Sequence, residues 1–122
     1  MNAASKPWPT EIRLSGDRRN LRVSFDDGQA FDFPAEFLRV ESPSAEVKGH
    51  GPGQRVTVPG KRNVTIIAVE PVGNYAVRLT FDDMHNTGIY SWDYFREIAM
   101  KRDELWSAYL KALTEKGLSR DA

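Results

Sequence analysis

The residues best suited to chemistry lie in one short stretch, Phe81 to Trp92. It places Asp82, Asp83 and His85 within four consecutive positions. Imidazole nitrogens and carboxylate oxygens are acceptable ligands for zinc or iron. Together with His50, the other of the two histidines in the chain, these residues form a candidate metal set. The alternative is a structural turn, in which the aspartates accept hydrogen bonds from the backbone and His85 packs locally.

A second candidate site is the glycine-rich segment from Gly49 to Arg55. Glycines allow backbone N–H groups to approach an anion, and the guanidinium of Arg55 adds a fork of donors. The segment has neither the lysine of a P-loop nor the G-x-G-x-x-G spacing. The sequence therefore favours a loop with glycine-enabled turns. His50 and Arg55 are candidate contacts for a ligand or a partner, together with Tyr90 and Trp92.

Other catalytic arrangements find little support in the sequence. Serine catalysis needs a base, and only His50 and His85 are available. Neither histidine stands near a plausible nucleophile along the chain.

A further feature is an apolar stripe at helical spacing, which is more typical of a core-facing helix than of a partner-binding face. Its members are Leu105, Trp106, Tyr109, Leu110 and Leu113.

Length and composition limit the function classes. The 122 residues correspond to a single domain, with residues 1–9 and 117–122 predicted as flexible tails. The chain has 17 lysine and arginine residues and 17 aspartate and glutamate residues. This balance argues against non-specific electrostatic binding to nucleic acid or to an anionic membrane. There is no cysteine, which excludes disulfides and thiolate chemistry. Because no signal peptide or long apolar run is present, we expect a cytoplasmic protein.

The pattern of apolar residues predicts an α+β domain, in which a small antiparallel sheet precedes C-terminal helices. A long Gly/Pro-rich loop is predicted from Glu41 to Arg62, after one helical turn at Pro34 to Arg39. The β-branched run from Val64 to Val69 indicates a central strand buried on both faces. From Asp93 onward the period is helical, with Asp103 as the predicted cap of a second helix. The predicted strands are 10–14, 20–25, 29–33, 64–69, 75–81 and 89–91.

Several stretches resemble the gamma-butyrobetaine hydroxylase-like N-terminal domain family. The resemblance runs from about Ile12 to Tyr109, and its most specific part is Thr87 to Trp92. Related domains are fused in front of an iron- and 2-oxoglutarate-dependent oxygenase of carnitine synthesis, and occur on P-loop scaffold proteins of iron–sulfur cluster assembly. The other matching stretches are Phe25 to Gly28, Phe33 to Arg39, Glu41 to Val47 and His50 to Gly53.

The resemblance implies the fold of the family. It also implies that this chain has lost most of the family's zinc ligands. In the eukaryotic oxygenases the domain holds a structural zinc through three cysteines and one histidine. Here His85 matches the histidine, whereas Ser42, Ser44 and Val47 stand at the cysteine positions. The resemblance therefore implies the fold without the zinc and without oxygenase activity. We expect a non-enzymatic accessory or interaction domain with a protein partner, linked to iron–sulfur cluster assembly or to metal enzymes. The alternative is a zinc- or iron-binding protein that uses His85 with His50 and Asp82 or Asp83.

Overall fold

The described part of the chain forms two antiparallel sheets of three strands each, with two short helices between the sheets and two longer helices after them. The computed structural model describes residues 6–49 and 55–121. In each sheet the strands pair in the order in which they follow one another along the chain. The strands are β1 (Pro9–Leu14), β2 (Asn20–Phe25), β3 (Ala30–Pro34), β4 (Ile66–Val72), β5 (Ala76–Phe81) and β6 (Gly88–Ser91). The helices are α1 (Ala35–Val40), α2 (Ala45–Lys48), α3 (Trp92–Met100) and α4 (Arg102–Glu115).

The hydrophobic core lies where the inward faces of the two middle strands meet the helices. Alternation along β2 buries Leu21, Val23 and Phe25, because successive side chains of a strand point to opposite faces. The same alternation along β5 buries Val77, Leu79 and Phe81. Phe33 and Phe95 bring β3 and α3 into this core, with their ring centroids 5.4 Å apart. The α+β class predicted from the sequence is confirmed, with two small sheets instead of one.

The strand predicted as central and buried on both faces is an edge strand. In the described residues β4 pairs with β5 alone, and it begins at Ile66 instead of Val64. Ile66 is fully buried, whereas Ile67 is 43% exposed. The apolar run misled the prediction because β-branched residues suit both a buried strand and the half-exposed edge of a small sheet.

The helical regions differ from the predictions at their ends. The long loop contains α2, a short helix that Ser44 caps by accepting a hydrogen bond from the N–H of Glu46 at 3.1 Å. Ser91 caps α3 in the same way through Tyr94. The cap predicted at Asp103 is wrong, since α4 begins directly after Lys101 with no side-chain cap. A helix that continues from its predecessor with a one-residue break leaves little room for a separate cap.

The C-terminal segment, predicted as a flexible tail, contacts the body of the domain. The guanidinium of Arg120 donates two hydrogen bonds to the carboxylate of Glu36, at 2.8 and 2.6 Å. The backbone N–H of Gly60 donates to the carbonyl of Ser119 at 2.9 Å. The helix ends before Gly117, whose φ of 64° lies in the left-handed region that favours glycine.

Candidate functional site

The segment between β5 and β6 forms a tight turn that places His85 beneath the surface. The N–H of Phe81 donates to the carbonyl of His85 at 2.9 Å, and the N–H of Met84 donates to the carbonyl of Phe81 at 3.0 Å. Met84 has a φ of 73° and is exposed. The N–H of His85 donates to Oδ1 of Asp83 at 3.1 Å. The contact matches the alternative to a metal site, a structural turn in which an aspartate accepts a backbone hydrogen bond.

Both nitrogens of His85 have hydrogen-bond partners from the segment after α1. Nε2 lies 2.9 Å from Oγ of Ser42, and Nδ1 lies 3.1 Å from Oε1 of Glu46. A carboxylate can only accept, so Nδ1 carries the proton and Nε2 accepts the hydroxyl hydrogen of Ser42. His85 is 5% exposed, and burial lowers its pKa below the ordinary value. Arg39 adds to the lowering of the pKa, while Glu46 and Asp83 oppose it.

The hydroxyl of Ser42 lies at the centre of a wider polar network. It accepts a hydrogen bond from the N–H of Ser44 at 3.3 Å. The hydroxyl of Ser44 lies 2.6 Å from that of Thr87, so the two chain segments are joined at a second point. Gly88 permits this close approach, because a Cβ at that position would lie 2.5 Å from Oγ of Ser42. The network therefore connects the segment before α2 to the His85 turn.

Asp83 and Asp82 also have partners within the protein. Oδ2 of Asp83 lies 2.8 Å from Nε of Arg39 and 2.6 Å from Nζ of Lys61. Burial acts to raise the pKa of Asp83, but the hydrogen bonds from Lys61, from the N–H of His85 and from Arg39 outweigh it and lower the pKa to about 2. Oδ1 of Asp82 accepts a hydrogen bond from the N–H of Thr65 at 3.2 Å. Both carboxylates stabilise the turn and its neighbours.

The side chains present do not fit the zinc that the resemblance implies. Ser42 and Ser44 offer neutral hydroxyls bonded to other side chains, and Val47 has no ligand atom. No group of three or more histidine, aspartate or glutamate side chains is arranged to hold a metal ion within residues 6–49 and 55–121. His50, the remaining member of the predicted metal set, lies outside the described residues. Hydrogen bonds hold together the segments that a metal would otherwise join.

His85 contacts both Ser42 and Glu46, in the order of a hydrolase triad that no sequence pattern predicted. The order is hydroxyl, imidazole, carboxylate, with both contacts within 3.1 Å. Ser42 is 0% exposed, so a substrate carbonyl cannot reach Oγ in this conformation. The serine is 43 residues from the histidine, and no local motif marks it as a partner. In this conformation the three side chains connect α2 and the segment before it to the His85 turn.

Of the residues predicted to contact a partner, the structure buries one and leaves two partly exposed. Tyr90 is fully buried, and its hydroxyl donates to the carbonyl of Leu38, so it contributes nothing to the surface. The prediction that Tyr90 contacts a partner is therefore wrong, because its side chain packs into the core. Arg55 is partly exposed beside Glu41, and Trp92 is partly exposed at the start of α3. His50 lies outside the described residues.

Trp92 lines a surface cleft with two other aromatic side chains. The cleft has a volume of about 250 Å³, and its walls include Trp8 and Tyr75. Trp8 is 50% exposed and Tyr75 is 55% exposed. The indole N–H of Trp92 donates to the carbonyl of Asn74 at 3.0 Å, which fixes the ring against the β4–β5 turn. Lys6 and Asp93 form an exposed ion pair at the edge of the cleft, 2.9 Å apart.

No helix among the described residues is both long enough and apolar enough to cross a membrane.

No curated protein matches the chain. Two proteins with solution NMR structures are similar to it. One has 45% identity and a TM-score of 0.80, and the match covers 96% of this chain and 92% of that one. The other has 47% identity and a TM-score of 0.81, with 98% and 89% covered.

A crystal structure of a protein of unknown function from Acidithiobacillus ferrooxidans ATCC 23270, assigned to the DUF971 family, is also similar. It has 40% identity and a TM-score of 0.65, and the match covers 78% of this chain and 98% of that one. The model of the family described as gamma-butyrobetaine hydroxylase-like, N-terminal matches residues 12–96. The match includes the His85 turn and the serines that contact it. The chain belongs to the gamma-butyrobetaine hydroxylase-like N-terminal domain family.

Proposed function

We propose that this domain is a non-enzymatic interaction module that binds a protein partner through the cleft between Trp8, Tyr75 and Trp92. The observation that carries the proposal is the grouping of three partly exposed aromatic side chains around one concave surface. Tryptophan and tyrosine are enriched at the energetic centres of protein interfaces, because they bury much area and lose little conformational entropy. An apolar side chain of the partner would fill the cleft.

The backbone around the cleft supports its role as a prepared surface. The N–H of Trp92 donates to the carbonyl of Tyr75 at 3.1 Å, so the two residues keep a fixed spacing. On the other side, the N–H of Trp8 donates to Oδ1 of Asp26 at 3.0 Å. The N–H of Asp26 donates in return to the carbonyl of Trp8 at 2.8 Å. A pre-organised surface loses less entropy when a partner binds.

The family contexts named above support the class of partner that we propose. Domains of this family accompany an oxygenase and scaffold proteins of iron–sulfur cluster assembly, so the proposed partner is a protein of one of these systems. The alternative, a metal-binding protein using His85, His50 and Asp82 or Asp83, is opposed by the hydrogen bonds that already occupy His85 and both aspartates. We therefore place the partner contact at the aromatic cleft instead of at the His85 turn.

Site-specific photo-crosslinking in cells tests the proposal. A photoreactive phenylalanine analogue replaces Tyr75 in one variant and Met100, which is 77% exposed outside the cleft, in a control. We expect one protein to be crosslinked from position 75 and not from position 100. The purified partner should then bind Trp8→Ala about 30-fold more weakly, corresponding to about 2 kcal/mol.

Two results would contradict the proposal. One is equal binding of the partner to wild type and to Trp8→Ala and Tyr75→Ala variants that retain the native fold. The other is an enzymatic turnover that disappears in a folded His85→Ala variant, because it would show that the network around His85 performs chemistry.

A further inference from the structure

A second cleft, separate in its residues from the aromatic one, combines an apolar wall with one arginine. It lies between the segment that begins at Arg55 and the side of α4, and its volume is about 260 Å³. Cavities of about 150 Å³ can already hold benzene, so this one has room for a substituted ring or a short aliphatic chain. Its apolar lining consists of Val40, Val56, Leu105, Ala108, Tyr109 and Ala112.

The guanidinium of Arg55 is held in place at the polar end of this cleft. Its Nη2 donates to the carbonyl of Val40 at 3.0 Å and lies 2.9 Å from Oε1 of Glu41. The side chain of Glu41 is 2% exposed, whereas that of Arg55 is 42% exposed. The buried carboxylate thus holds the guanidinium in place, and the partly exposed arginine side chain lines the cleft. Oε1 of Glu41 has no aligned hydrogen bond among the described residues, so its contact with Arg55 is mainly electrostatic.

The charges around the cleft favour an anion. Nζ of Lys48 lies 4.0 Å from Oε1 of Glu41, so two cationic side chains share one carboxylate. These two cationic side chains and the one carboxylate leave an excess of positive charge beside the cleft. Nε and Nη1 of Arg55 can donate charge-assisted hydrogen bonds to a carboxylate, while Nη2 contacts Val40 and Glu41.

We propose that this cleft binds a small organic carboxylate with an apolar body. The carboxylate group contacts Arg55, and the apolar body packs against Leu105, Ala108 and Ala112. Glu41 is a positioning residue, since it orients Arg55 without reaching the ligand. The site shares no residue with the aromatic cleft, so it does not depend on the proposed interaction with a protein partner.

Benzoate is the probe for this site, and amide NMR spectra of the full chain are the readout. We expect saturable shifts at the amides of Arg55 to Thr57 and of Ala108 during titration into the millimolar range. Benzyl alcohol, which has the ring without the charge, and acetate, which has the charge without the ring, should each bind at least ten-fold more weakly. The Trp8→Ala variant should bind benzoate as the wild type does.

Three variants make the test decisive. Arg55→Gln should weaken benzoate binding at least ten-fold. Ala108→Trp should abolish binding by filling the cleft, and it tests the proposal even if Arg55→Gln does not fold, because Ala108 is exposed. Ser107→Trp adds the same side chain at a neighbouring exposed position that does not line the cleft, and it should bind normally. Equal shifts with benzoate and benzyl alcohol, no saturable shift, or unchanged binding by Ala108→Trp would overturn the proposal.

Discussion

Nε2 of His85 lies 2.9 Å from Oγ of Ser42, and this hydrogen bond joins the turn after β5 to the segment after α1. The two residues are fully or almost fully buried, so neither atom can exchange its partner for water. A buried imidazole with both nitrogens bonded fixes the relative position of two segments in the way a metal ligand would. The stability of the domain should therefore respond to this pair.

Replacing Ser42 by alanine should destabilise the domain. The change removes the partner of Nε2 and leaves a buried acceptor unsatisfied, which costs about 1–3 kcal/mol. The free energy of unfolding from urea titrations measures the effect. Ser107→Ala, at an exposed position of α4, is the matched control and should change the free energy by less than about 0.5 kcal/mol. A Ser42→Ala protein as stable as the control would show that the hydrogen bond contributes nothing net.

The stability of the domain should fall as the pH decreases below about 6.5, the ordinary pKa of histidine. Burial lowers the pKa of His85 in the folded state, so between the two pKa values the unfolded chain binds a proton that the folded domain does not. The contribution is fully present above the unfolded pKa and is lost as the pH falls toward the folded one. Arg39, Asp83 and Glu46 set the charge around the ring.

The comparison of wild type with His85→Gln isolates this contribution. Glutamine does not titrate, and the raised pKa of Glu41, which has the opposite effect on the pH dependence, is common to both proteins. Chemical unfolding at pH 7 and pH 5 should show a larger loss for the wild type. Parallel losses in the two proteins would assign the pH dependence to other groups.

Gly88→Ala should destabilise the domain by about 1–3 kcal/mol, because the added methyl group overpacks a closed site. The new Cβ would lie 2.5 Å from Oγ of Ser42 and 3.0 Å from Cε1 of Tyr90. Gly16→Ala is the control, since a Cβ at Gly16 meets nothing within 4 Å. Thermal unfolding of the two variants should differ clearly. If both variants melt as the wild type does, the site around Ser42 accommodates the added methyl group without cost.

Removing metal should leave the melting temperature unchanged. The nitrogens of His85 and the carboxylates of Asp82 and Asp83 are hydrogen-bonded within the protein, so a metal would have to displace several contacts. Elemental analysis of untagged protein, with and without chelator, measures this, and a His85→Ala variant serves as comparison. Stoichiometric zinc or iron that is lost in the variant would restore the metal-binding alternative, with His50 as the added ligand.

Local patterns in the sequence determined most of the secondary structure. Alternation predicted β2 and β5, and the change to helical period placed α3 and α4. These predictions succeeded because one buried face imposes its period on neighbouring residues. The prediction of a central strand from Val64 to Val69 was wrong because the local pattern does not report which strands pair. A strand at the edge of a sheet and one at its centre have similar local composition and differ in the neighbours they pair with.

The tertiary structure alone decided the site. The sequence identified His85 and the matching serines through a resemblance, but only the fold brings Ser42 to the imidazole from 43 residues away and buries both. The same holds for the aromatic cleft, where Trp8, Tyr75 and Trp92 come from three separate segments. Tyr90 and Trp92 are two positions apart, yet one is in the core and the other lines a surface cleft. Sequence patterns report the surroundings of a residue along its own element, whereas exposure depends on what the rest of the chain packs against it.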